Sequence, residues 1–168
     1  AGISALLFIV LAALGLGLMS AEVELYADED ELGQMLQDID DNEGIFGLGT
    51  VLLAVSTIFL FGLLPGLFYA LREEDRPYAA LGCIFLGIGG IFMNLASFVA
   101  LALGGAAGDF VDATAGTKEA ILQDAKLLLD LYQLIDWTVP MGLGVLVIGV
   151  LMLRSGFFHP ALGWLSLL

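Results

Sequence analysis

Four long stretches of the sequence contain no Asp, Glu, Lys or Arg, and they constrain the fold more than any other feature. They are residues 2–20, 45–71, 78–103 and 137–153. A bilayer core about 30 Å thick is crossed by about 20 apolar residues in a helix, and a spanning helix satisfies its backbone hydrogen bonds internally. The sequence therefore predicts an all-α fold, a polytopic helical membrane bundle with four full spans and the start of a fifth at residues 161–168.

The composition agrees with this prediction. The chain is 60% hydrophobic and 14% charged, with a mean hydropathy of +0.98, whereas soluble domains are about 45–50% apolar and about 25% charged. We expect residues 1–168 to form a single integral membrane domain, and to belong to a longer or processed protein because the sequence begins without Met. The alternative for residues 2–20 is a signal peptide, but Met19 fits the cleavage pattern poorly, so a retained span is favoured.

Three arginines orient the predicted spans. Arg72 and Arg76 lie in the short loop 72–77, and Arg154 opens the loop 154–160. Alternating spans place both loops on one side, and basic loops stay on the cytoplasmic side of a membrane. We therefore predict a multi-pass protein of the cell inner (cytoplasmic) membrane with a cytoplasmic N-terminus.

The long segments 21–44 and 104–136 fall on the opposite, outer side and carry the acidic charge. The chain has 19 Asp and Glu against 5 Lys and Arg, a net charge of −14. The outer segments hold all of that charge, because the charges of the two inner loops together sum to zero. This balance excludes a nucleic-acid-binding protein and favours a basic soluble partner on the outer side. The side chains expected to face that partner are Glu29, Asp30, Asp40, Asp41, Glu43, Asp124 and Asp130.

Each outer segment contains a predicted amphipathic helix, because apolar residues recur in it at steps of three and four. We expect the second helix to pack on protein in preference to the headgroup region, since an anionic face is repelled by anionic lipid. The two apolar stripes are Leu32, Met35, Leu36 and Ile39 in the first segment, and Ile121, Ala125, Leu128, Tyr132 and Ile135 in the second.

The first outer segment also offers oxygen ligands at alternate positions, at Asp38, Asp40 and Asn42. An EF-hand loop needs glycine at its sixth position and glutamate at its twelfth. Counted from Asp38, those positions hold Glu43 and Gly49. A solvated acidic loop is therefore favoured over a calcium site, and we predict no metal.

The predicted spans contain no ionisable cluster and no pairing of a nucleophile with a base, so we predict that the protein is not an enzyme. The most informative polar residue is Asn94, whose amide must find partners away from water. We favour an interhelical hydrogen bond over a ligand contact. The residues expected to pack helices together are Gly87, Gly90, Asn94 and Ser97.

No cofactor is predicted, although a bound lipid or pigment between the helices is an alternative. The candidates for contacting such a group are His159, Asn94 and Trp137. For His159, we favour a role in capping the turn before Pro160 over a role as a ligand.

Residues 149–165, GVLMLRSGFFHPALGWL, close the fourth predicted span and continue into a turn in which Arg154 and Ser155 are followed by Pro160, Leu162 and Gly163. This run resembles the end of the fourth span in domain-of-unknown-function family 4386, small multi-span membrane proteins of bacteria. The long first outer loop, the short basic inner loop and the asparagine in the third span are similar too. This sequence departs from the family pattern in having His159 beside the proline and unusually acidic outer loops. The resemblance implies a fold and a topology, but no activity.

We therefore expect a non-catalytic integral membrane protein, an accessory or scaffold subunit of a larger membrane complex. Its partners would be membrane lipids, protein chains within the membrane and a basic soluble protein at the anionic outer face. The alternative is a binder or carrier of a lipid or apolar small molecule between the helices.

Overall fold

The computed structural model describes residues 2–20 and 31–155, and within them no strand occurs. Three helical segments, Ile3–Ser20, Glu43–Asp112 and Ala115–Ser155, are long and apolar enough to cross a membrane. The predicted all-α membrane fold is confirmed at this level. The helices are α1 (Gly2–Ser20), α2 (Leu32–Asp41), α3 (Glu43–Asp112), α4 (Ala115–Leu134) and α5 (Thr138–Ser155).

The residues group into two compact units. One unit comprises Ile9–Ser56 and Asn94–Ile135. Its described residues carry ten acids and two lysines, and we call it the acidic unit. The other comprises Ala1–Phe8, Thr57–Met93 and Asp136–Leu168. It holds all three arginines of the chain, and we call it the arginine unit.

Helix α3 is too long to cross a bilayer once, because its 70 residues would extend about 105 Å at 1.5 Å per residue. It is interrupted at Asp75, whose φ of −158° and ψ of 100° are not helical. The Asp75 carboxylate accepts a hydrogen bond from the Tyr78 backbone N–H at 3.3 Å, and Pro77 is tolerated here because the first turn of a helix has no use for its missing N–H. Asp75 thus separates a first arm, residues 43–74, from a second arm, residues 76–112.

In the acidic unit, the two arms of α3 run antiparallel. The Asn94 side-chain amide donates to the Ala54 carbonyl at 3.3 Å. Farther along the second arm, Gly104 lies opposite Phe46, which is earlier on the first arm. The second arm stays helical through residues 104–112, a stretch that the sequence assigned to the outer segment.

Helix α1 approaches the first arm of α3 in the acidic unit through a pair of glycines. A Cβ on Gly15 would lie 2.8 Å from the Gly49 carbonyl oxygen and 2.8 Å from the Leu53 nitrogen. A Cβ on Gly49 would lie 2.8 Å from the Gly15 carbonyl oxygen. Neither site has room for a side chain, so backbone packs directly on backbone, as small residues allow in membrane helices.

The arginine unit repeats the antiparallel arrangement. The Cys83 thiol on the second arm lies 3.6 Å from the Leu64 carbonyl oxygen on the first. Gly90, later on the second arm, packs on the Leu60 side chain, which is earlier on the first. Pro65 within the first arm removes one helical N–H donor.

Helix α5 packs on the second arm of α3 in the arginine unit, also antiparallel. A Cβ on Gly144 would lie 2.7 Å from the Leu86 nitrogen and 3.0 Å from the Gly82 carbonyl oxygen. A Cβ on Gly89, later on the second arm, would meet Met141, which is earlier on α5. The apolar core of this unit is Leu67, Leu71, Ala79, Leu86, Ile148 and Leu151.

Large apolar side chains also cover the outside of the helices. Ile3 is 79% exposed, Ile58 65% and Val139 59%. In water such surface would be costly at about 25 cal/mol per Å², but hydrocarbon accepts it. These faces are in contact with lipid.

Helix α5 is capped by Asp136. The carboxylate accepts hydrogen bonds from the hydroxyl of Thr138 and, at 2.9 Å, from its backbone N–H. These two hydrogen bonds hold the pKa of Asp136 below its ordinary value, and the one from the hydroxyl lowers the pKa more than the one from the N–H. The exposed carboxylate thereby satisfies one of the free N–H groups at the start of the helix.

We predict that the Gly144→Ala substitution destabilises the protein, while Gly142→Ala on the same helix does not. The new methyl group at position 144 would meet the backbone of the second arm, and overpacking of this kind costs about 1–3 kcal/mol. A Cβ on Gly142 has no neighbour within 4 Å, and alanine is the better helix former. Unfolding of each variant in detergent by titration with dodecyl sulfate measures its stability. Equal stability of the two variants would contradict the close contact.

We also predict a pH dependence that comes from Asp136. Because its folded pKa is below the unfolded value, its contribution to stability is present above the unfolded pKa of about 4. That contribution is lost as the pH falls through the folded pKa. Asp136→Asn keeps an acceptor for the N–H but cannot titrate. The stability difference between wild type and this variant should therefore shrink under acid, and a difference independent of pH would exclude the cap.

Candidate partner-binding surface

Helix α2 separates apolar from polar residues, and this separation positions the first acidic side chains. Its buried residues are Leu32, Met35, Leu36 and Ile39, which is the stripe expected from the spacing. Glu31, Gln34, Gln37 and Asp41 are exposed, while Asp38 and Asp40 are half-buried. Burial of one face therefore leaves carboxylates on the other faces of the helix.

The turn between α2 and α3 is closed by Asn42. Its side-chain amide donates to the Asp38 carbonyl at 3.0 Å, and its backbone carbonyl accepts from the N–H groups of Ile45 and Phe46. The metal candidates Asp38, Asp40 and Asn42 thus lie on the last turn of α2 and its cap. Across residues 2–20 and 31–155, no group of three or more His, Cys, Asp or Glu side chains is placed to hold a metal ion.

A polar cleft of about 250 Å³ lies where α2, the end of α3 and the start of α4 meet. Lys118 lines this cleft, and its ammonium lies 4.6 Å from the centroid of the Phe110 ring, a distance typical of a cation–π contact. Asp40 borders the helix end at Gly108, where a Cβ would lie 3.7 Å from a carboxylate oxygen of Asp40. The residues lining the cleft are Gln37, Asp40, Asp41, Val111 and Lys118.

Helix α4 adds further carboxylates. Its buried residues are Ala125 and Leu129, and the helix contacts α2. The acids expected to face a partner, Asp124 and Asp130, are exposed. Altogether eight acidic side chains of the acidic unit are exposed; they are Glu31, Asp41, Glu43, Asp109, Asp112, Glu119, Asp124 and Asp130. We call these eight side chains the anionic set.

The polar residues inside the helices have hydrogen-bond partners in the protein. In the acidic unit, the Thr50 hydroxyl donates to the Phe46 carbonyl at 2.8 Å, and the Ser56 hydroxyl donates to the Leu53 carbonyl at 2.6 Å. Among the described residues, every buried side-chain nitrogen and oxygen has a partner. Polar groups in hydrocarbon are stable only when satisfied in this way.

The packing and ligand candidates have different surroundings. The Asn94 amide is bound to Ala54, Ser97 is fully buried and Trp137 is half-buried between α4 and α5. A Cβ on Gly90 would lie 2.8 Å from a Leu60 methyl carbon, and one on Gly87 would lie 3.5 Å from a Leu64 methyl carbon. His159, Glu29 and Asp30 lie outside the described residues.

Two features of this surface were missed in the sequence. Lys118 was counted only as a charge, although its ammonium lies beside a ring at the end of a different helix. Leu129 is buried at 4% exposure but does not belong to the predicted stripe of α4. No local pattern signals either contact, because each depends on how two helices are rotated against each other.

Comparison with known proteins identifies the family of this chain. No curated protein and no solved structure matches this chain. The family model described as Domain of unknown function (DUF4386) matches residues 1–168, the whole chain. The geometry above is therefore that of a membrane protein of this family: the chain belongs to DUF4386.

Proposed function

We propose that this protein is a non-catalytic accessory or scaffold subunit of a membrane complex, and that the anionic set binds a basic soluble partner. The observation that carries the proposal is the segregation of charge. The acidic unit has ten described acids against two lysines, while the arginine unit has four acids and three arginines. Such a field attracts a cationic partner over a distance and loses strength with salt.

The topology proposed for this role has four full spans, formed by α1, the two arms of α3 and α5. Residues 161–168, expected to begin a fifth span, lie outside the described residues. The antiparallel pairing of the arms supports two spans within α3. Arg72 and Arg76 flank Asp75 at the bend, and Arg154 lies in the last turn of α5. The positive-inside rule then favours a cytoplasmic location for these arginines and an outer location for α2 and α4 in an inner membrane.

The anionic set is supported by stable local structure rather than by a loop. Asp41 follows the buried residues Leu36 and Ile39, which are both at 0% exposure. Asp124 and Asp130 flank Ala125 and Leu129 on α4. Carboxylates held on packed helices keep a defined spacing, and a defined spacing favours recognition over unspecific attraction.

The state of the intramembrane polar groups supports association over ligand binding. The Asn94 amide donates a hydrogen bond to the Ala54 carbonyl. Thr50 and Ser56 donate to carbonyls of their own helix. Ligand pockets are mostly apolar, but they place a few polar groups where these fix the orientation of the ligand. The alternative function, a lipid or small-molecule binder between the helices, lacks this support.

The test compares two pairs of neutralised acids. We predict that Asp41→Asn with Glu43→Gln weakens binding of an oligolysine peptide and lowers its salt dependence. Glu73→Gln with Glu74→Gln, two exposed acids of the arginine unit, is the matched control and should leave both unchanged. At 0.1 M salt the Debye length is about 10 Å, so local charges dominate. Equal effects of the two pairs would contradict a surface on the acidic unit.

Size analysis in mild detergent tests the association itself. Protein solubilised from its own membrane should run as a complex with a second chain, and that chain should dissociate from the Asp41/Glu43 variant at lower salt than from wild type. A lone monomer at every salt concentration would overturn the proposal.

A further inference from the structure

We propose that α4 has a lipid-binding face, and that residues 127–134 lie at the membrane–water boundary with three leucines in the acyl chains. The three side chains are Leu127, Leu131 and Leu134, which we call the leucine face. This inference concerns side chains other than those of the anionic set, of which Asp130 alone lies within residues 127–134. It does not depend on the partner proposed above.

The leucine face is a second apolar surface of α4, separate from the one that packs on protein. Leu127 is 68% exposed, Leu131 42% and Leu134 80%. Steps of four and three residues place the three side chains on one side of the helix. Ala125 and Leu129, at 0% and 4% exposure, face the protein instead. The contact of α4 with the rest of its unit therefore leaves the leucine face uncovered.

Chain connectivity identifies lipid as the occupant. Four peptide steps separate Leu134 from Thr138, the first residue of α5, so their Cα atoms are at most about 14 Å apart. Helix α5 is apolar and exposes Val139 and Leu143 to lipid. The end of the leucine face therefore lies within reach of the place where a membrane-embedded helix begins.

The residue types around this junction fit the boundary of a bilayer. Trp137 lies between the two helices, and tryptophan is enriched at membrane–water interfaces. Asp136, next to it, is exposed and caps α5. An aromatic ring and a charged cap side by side are typical of the depth at which headgroups meet acyl chains.

The polarity of α4 falls along its length towards this junction. Residues 115–126 carry four charged side chains, Lys118, Glu119, Asp124 and Lys126. In residues 127–135, Asp130 is the one Asp, Glu, Lys or Arg. An exposed apolar patch of this kind on a folded protein marks a surface that binds something. This gradient is explained by a helix whose first turn lies in water and whose last turn lies at the bilayer.

The experiment measures the surroundings of single cysteines on α4 in the full chain. Cys83 is first replaced by alanine so that each variant has one thiol. Cysteines at Leu127, Leu131 and Leu134 form the test group, and cysteines at the exposed residues Glu119 and Gln123 form the control group. Each carries the polarity-sensitive fluorophore NBD. The protein is placed in nanodiscs of phosphatidylcholine and phosphatidylglycerol, which leave both membrane sides accessible.

The expected result is a blue-shifted emission at the test positions, quenched more strongly by doxyl-labelled lipid than by iodide. The control positions should emit at longer wavelength and show the opposite order of quenching. Emission at the test positions like that of the controls would overturn the proposal in favour of a water-exposed face. A blue shift without quenching by doxyl lipid, lost when each nanodisc holds one copy, would overturn it in favour of a second copy of this chain.

A second measurement leaves α4 unchanged, in case the cysteine variants do not fold. In a Trp164→Phe variant, Trp137 is the only tryptophan of the chain. Its fluorescence should be quenched by lipid brominated near the headgroup more than by lipid brominated near the chain end. Quenching by neither lipid would place the α4–α5 junction outside the bilayer and overturn the proposal.

Discussion

Close approach of helix backbones at glycine is the constraint on which the packing within each unit depends. In the arginine unit, Gly144 brings α5 against the backbone of Leu86 and Gly82. In the acidic unit, Gly15 and Gly49 bring α1 against the first arm of α3. Lipid offers little hydrophobic driving force between apolar helices, so dispersion contacts and a few hydrogen bonds must hold them together. Both weaken steeply when a side chain separates the helices.

The polar residues of the helices follow from the same constraint. Thr50 and Ser56 are fully buried, yet each donates to a carbonyl of its own helix. Asn94 instead donates to the Ala54 carbonyl on the facing arm. This hydrogen bond orients the two arms, which apolar contacts alone do not. The helices thus contain polar atoms at little cost, because none of those that are buried is left unsatisfied among the described residues.

Charge is excluded from the spans and collects at defined places, and this separation links the fold to the proposed function. The acids of α2 and α4 project from helices that bury a stripe on their own unit. Lys118 and Asp40 line the same cleft, and the Lys118 ammonium lies over the Phe110 ring. The proposed basic partner and the lipid boundary then involve different side chains of the same unit, the partner through carboxylates and the lipid through the leucine face.

Much of the fold follows from the sequence, because length and polarity act locally. Uncharged runs of about 20 residues predict membrane helices, and the stripe Leu32, Met35, Leu36 and Ile39 predicts the buried face of α2. The family resemblance at residues 149–165 is confirmed over the whole chain. The sequence places residues 104–112 in the second outer segment, and in the structure they continue the second arm of α3. They are helical because small residues there let the helix pack on Phe46 and beside Asp40.

The sequence by itself determined the helical class, the apolar segments and the concentration of acid in two stretches, since each depends on residue type and spacing alone. Only the tertiary structure decided which glycines are in contact. Gly144 meets backbone while Gly142 meets nothing, and Gly15 meets backbone while Gly17 meets nothing. The tertiary structure also decided which leucines of α4 are buried, Leu129 rather than Leu127. The physical reason is helix rotation: residues two apart point in different directions, and the neighbouring helix selects the face that is covered.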